Sequence, residues 1–67
     1  MGNRYLVKDE FEVKDGKVIV LDKPYEFGNY HKAVVDEREY EYFLNSIPTW
    51  IAIKSRDSFL GKTVSFV

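Results

Sequence analysis

The sequence predicts a small α+β domain, mostly β, in which a five-stranded antiparallel, barrel-like sheet carries one helix. Three observations lead there. Residues 4–13 alternate as a strand does and are followed, across Asp15-Gly16, by the apolar run Val18–Leu21, and such a dipeptide between two strand-like runs is a strong hairpin signal. Residues 36–47 place Tyr40, Phe43, Leu44 and Ile47 at i, i+3, i+4 and i+7, the spacing of one helical stripe. After Pro48 the chain returns to strand-like segments at 50–54 and 59–66.

Each element has a local reason. In residues 4–13, Tyr5, Val7, Phe11 and Val13 fall on one face, with Lys8, Glu10 and Glu12 on the other. Asp9 interrupts the apolar face, which marks a bulge or bend. With Asp15-Gly16 as a two-residue turn, Val13 faces Val18, Glu12 faces Ile19 and Phe11 faces Val20. Val18-Ile19-Val20-Leu21 is apolar on both sides, so this strand needs cover on two faces, from the helix, another strand or a partner. Residues 24–31 form an aromatic connection, and Tyr30–Val35 reads as a third, weaker strand.

Asp36 stands at a capping position with Glu39 three residues on, a variant of the capping box. Glu37, Glu39 and Glu41 load the first turns, where a helix dipole favours negative charge, and Pro48 forbids continuation. The resulting order, β-β-β-α-β-β, resembles the OB-fold in element order alone. If 24–35 is mostly loop, the order becomes ββαββ, a sheet packed on one helix.

Sixty-seven residues make a single domain, 1–67. It has no cysteine and one histidine, so neither disulfides nor a zinc site are expected to supplement the core. Apolar packing must hold the fold, with a net stability of ~3–5 kcal/mol. Hydrophobic residues are 45% of the chain and aromatics 16%, enough to build such a core. No apolar run reaches the ~20 residues that span a bilayer, and the N-terminal residues lack the apolar region of a signal peptide. The expected setting is the cytoplasm.

The chemistry of catalysis is sparse. His31, the single histidine, has no recognisable nucleophile pairing with Ser46, Ser55 or Ser58. Glu37 and Glu41 would share a helix face, but they read as a solvated helix start rather than a carboxylate pair across a cleft. Gly61-Lys62-Thr63 has the ending of a phosphate loop, yet Arg56 occupies the place of its first glycine. No catalytic residue, cofactor or metal ligand is therefore assigned, and the expected role is that of a small non-enzymatic binding module, an accessory or regulatory protein that docks on another protein.

The candidate partner-binding residues are Tyr25, Phe27, Tyr30 and His31, where rigid rings lie among Gly28 and Asn29. An exposed edge strand could also pair with a second copy. The alternative is an OB-like single-stranded nucleic-acid binder using Lys14, Lys17, Lys54 and Arg56, with aromatics as stacking platforms. Charge argues against it: ten basic side chains face eleven acidic ones, and the pI is about 5.7.

Overall fold

The computed structural model describes residues 4–26 and 28–67. Seven strands cross the described residues, and no helix does. They are β1 (Arg4–Val13), β2 (Gly16–Leu21), β3 (Ala33–Val35), β4 (Arg38–Tyr40), β5 (Tyr42–Leu44), β6 (Trp50–Ile53) and β7 (Thr63–Phe66). They form one open sheet in the order β4-β3-β7-β1-β2-β6-β5, every pair antiparallel. The expected five-stranded OB-like barrel with one helix is thereby overturned, as is the ββαββ alternative.

The helix fails for a local reason. Asp36 and Glu37 have φ of 53° and 66°, far from the −63° of a helix. They are the two central residues of a hairpin that pairs Val35 with Arg38, and positive φ at both is the signature of a type I′ turn. Beyond the turn, Glu39-Tyr40-Glu41-Tyr42 alternates strictly, and the two tyrosines are spent inward. Tyr40 packs edge-on to Phe59 at 5.1 Å, and Tyr42 lies 4.9 Å from Phe66. Period 2, built from strand-favouring aromatics, prevails over the competing i, i+3, i+4 coincidence. Of the expected stripe, Phe43, Leu44 and Ile47 end up exposed.

β1 spans the residues expected of it and bends where Asp9 interrupts the pattern. Val7 pairs with Leu21 and Asp9 with Val20, leaving Lys8 as the extra residue of a bulge. One extra residue flips every side chain that follows to the opposite face. Tyr5 and Val7 consequently point inward, whereas Phe11 and Val13 point outward and Glu10 turns in. The hairpin register also differs from the expected one by two residues: Val13 pairs with Gly16 and Phe11 with Val18, so Lys14-Asp15 is the loop. A shift of two preserves the faces. Gly16 is fixed in place by its φ of 154° and by its closeness to β6, where a Cβ would collide with the Ile53 carbonyl oxygen.

The sheet is rolled. Its two edge strands, β4 and β5, are consecutive in the chain and separated by Glu41 alone, so the edges must lie close together. The interior is lined by Tyr5, Val7, Ile19, Leu21, Tyr25, Ala33, Val35, Ile51, Ile53, Phe59, Val64 and Phe66, with Tyr30, Tyr40 and Tyr42 against them. Aromatic rings dominate this core, which suits a chain too short to bury many side chains. Val67 is tied to the chain ahead of β3: its N–H donates to Lys32 O at 3.0 Å.

Polar groups inside the roll are all satisfied among the described residues. The Tyr42 hydroxyl donates to Tyr30 O at 3.3 Å, leaving its oxygen to accept from the Tyr25 hydroxyl at 2.8 Å. Burial raises the Tyr25 phenol above its usual range, and the bond to Tyr42 adds to the rise. Glu10, turned inward by the bulge, accepts from Phe59 N–H at 2.7 Å and the Ser58 hydroxyl at 2.8 Å, with Lys17 Nζ at 3.7 Å. Burial pushes its carboxyl up, but these donors outweigh it and hold the group below the usual carboxylate range.

Candidate docking face

The four strands β1, β2, β6 and β5 have an inner face in the core and an outer face over which, among the described residues, no second layer lies. The outer face can be built row by row from the register. Asp9, Val20 and Trp50 form one row. Phe11, Val18, Ala52 and Phe43 form the next. Val13 and Gly16 begin a third, continued by Lys54 and Glu41, whose backbones are joined by a 3.0 Å hydrogen bond from Lys54 N–H to Glu41 O.

This face is mostly apolar. Phe43 is 55% exposed, and Phe11 and Val13 are each 38% exposed. Val20, Trp50 and Ala52 are half-buried. Val18, though buried, lies outside the inner cluster and is covered by its own neighbours on this face. Phe11 and Trp50 meet edge to face at 4.9 Å, and Lys54 Nζ stands 5.4 Å from the centre of the Phe43 ring. At the hairpin end the surface dips into a groove of about 750 Å³ lined by Val13, Lys14, Phe43, Ala52 and Lys54 among others. Contiguous exposed apolar surface of this kind marks interaction sites in soluble domains more often than scattered single residues do.

Of the candidate partner-binding residues of the sequence, the three described ones are not gathered on a surface. Tyr25 is in the core, 5% exposed, and Tyr30 is half-buried against that core. His31 is exposed, with its backbone N–H bonded to Val67 O at 2.6 Å. Phe27 lies outside the described residues. The Gly- and Asn-rich neighbourhood of Tyr25 suits a surface residue, but its ring centre lies 4.8 Å from that of Phe66 and 6.1 Å from that of Tyr5. Its ring serves as a plug for the open roll.

The four candidate nucleic-acid residues divide. Lys14, Lys54 and Arg56 do come together at the hairpin end, where Arg56 Nη2 donates to Lys14 O at 3.0 Å. Lys17 is turned inward to Glu10 and is 6% exposed. Carboxylates accompany two of the exposed cations: Glu41 is 3.8 Å from Lys54, and Glu12 is 3.6 Å from Arg56. A basic groove able to follow a phosphate backbone is not formed by such alternating signs.

Sequence reasoning missed Phe11, Trp50 and Phe43 as surface residues, because each belonged to a pattern that looked like core. One signal did point at them: β2 is apolar on both sides, and its second face required a cover. Among the described residues there is no group of three or more His, Asp or Glu side chains placed to hold a metal ion, and no helix long and apolar enough to cross a membrane. No family model matches this chain, nor does any curated protein or solved structure.

Proposed function

We propose that this protein is a small, non-enzymatic binding module, accessory or regulatory in role, that docks through the outer face of β1-β2-β6-β5 on a protein surface. The observation that carries the reading is the row Phe11, Val18, Ala52 and Phe43, flanked by Trp50, Val20 and Val13, on a face that no second layer of the described residues covers. Aromatic anchors at the centre of a patch and charges at its margin are the anatomy of a protein interface. The mixed signs of Lys54, Glu41, Arg56 and Glu12 favour a protein over a polyanion.

The test compares wild-type bait with a Val13→Ser/Phe43→Ser variant, both immobilised, in extracts with and without nuclease, followed by mass spectrometry. Both substitutions remove exposed side chains, so the fold is retained, as circular dichroism will verify. A protein captured by wild type in nuclease-treated extract and lost with the variant supports the reading. Identical capture by both baits overturns it, as does capture that disappears with nuclease.

A further inference from the structure

We propose that the occupant of this face is a second copy of the chain, laid face to face with its strands running antiparallel to those of the first. The inference rests on the docking reading above and names the partner. Two sheets that pack face to face by isologous contact need a two-fold axis lying in the plane between them. An axis across the strands, through the row Phe11-Val18-Ala52-Phe43, lays that row on itself. Phe11 of one copy then meets Phe11 of the other, and Phe43 meets Phe43, so the two projecting rings make ring-on-ring contacts on either side of Val18 and Ala52.

The same axis exchanges the two outer rows. The hairpin end of one copy, with Lys14 and Lys54, comes over the Asp9 and Trp50 end of the other. A cation approaches an indole face and a carboxylate on one side of the axis, and the contact repeats on the other. Gly16, which has no side chain, comes opposite Val20. The face is therefore complementary to itself in charge, and in relief where Gly16 comes opposite Val20, as an isologous interface requires.

The area sets the strength. Four strands at ~4.8 Å spacing and five residues at ~3.3 Å rise give a footprint of roughly 19 × 17 Å. That is below the ~800 Å² per partner of a standard interface, so dimerisation at roughly 10–100 µM is expected rather than nanomolar association.

Sedimentation velocity from ~1 to ~500 µM brackets that range. The sedimentation coefficient of the wild type should rise with concentration. Trp50 is the one tryptophan, and its emission should move to the blue over the same interval as the contact excludes water from it. Phe43→Glu should remain monomeric throughout. Lys14→Glu and Asp9→Lys should each weaken association several-fold, and an equimolar mixture of the two should recover it, because only the mixed dimer pairs opposite charges at both ends. Circular dichroism on each variant separates loss of contact from loss of fold. A wild-type chain still monomeric at the highest concentration overturns the dimer, as does Phe43→Glu dimerising like wild type, or a mixture no better than its components. Those results leave the capture comparison unaffected, so failure of the dimer and failure of the docking reading are told apart.

Discussion

Replacing Glu37 with glycine separates the hairpin from the helix by the sign of a single measurement. In the structure Glu37 has φ 66° beside Asp36 at 53°. An L-residue held in the left-handed region costs about 1–2 kcal/mol, and glycine avoids that cost. Glycine also adds freedom to the unfolded chain, which offsets about 0.4–1 kcal/mol of the gain. The side chain of Glu37 has no hydrogen bond or ion pair with the described residues, so nothing else is lost. The net expectation is stabilisation by roughly 0.5–1 kcal/mol, which raises the melting temperature of a domain this size by about 2–8 °C. At the first turn of a helix the same change would remove a favourable dipole contact and insert a poor helix former, destabilising by about 1 kcal/mol. Thermal and urea melts of wild type and Glu37→Gly followed by circular dichroism decide between them. A fall of several degrees would refute the hairpin turn and the strand assignment of β4 with it.

Three further outcomes follow from the same geometry. Gly16→Ala should destabilise by about 2–3 kcal/mol or prevent folding, because its φ and the Ile53 carbonyl both exclude a Cβ; an urea midpoint unchanged from wild type would contradict the β2–β6 approach. Tyr25→Ala should cost about 3–5 kcal/mol, close to the whole stability of so small a domain, and leave a chain without a cooperative melt; a well-folded variant would return Tyr25 to the surface. Because Glu10 has its carboxyl pKa lowered in the folded state, its contribution is complete above the unfolded value of ~4.3 and fades as pH falls through the folded one. Glu10→Gln should therefore melt below wild type at pH 7, and the gap should narrow in acid; parallel melting curves across that range would deny Glu10 its contacts with Phe59, Ser58 and Lys17.

The amino-acid order by itself determined the elements whose signals are local and unopposed. The period-2 pattern of 4–13, the apolar run of β2 and the strand at Trp50–Ile53 are each set by side chains within a few residues of one another, and even the bulge is announced by Asp9; of the expected strand over 59–66 only Thr63–Phe66 forms, because residues 59–62 close a turn. Residues 36–44 held two periods at once. Tyr40, Phe43, Leu44 and Ile47 fit a helix, Tyr40 and Tyr42 fit a strand, and no neighbouring residue could choose between them. Tertiary packing chose, because the roll needed the rings of Tyr40 and Tyr42 against Phe59 and Phe66 more than it needed a stripe with no groove to fill. The same is true of the candidate face. Phe11 and Val13 look like core partners of Tyr5 and Val7 until the extra residue at Lys8 turns them outward. Tyr25 looks like a surface anchor until the curl of the sheet closes over it. Which side of a strand becomes the inside depends on how distant strands come together, and a one-residue shift in that closure exchanges core for surface.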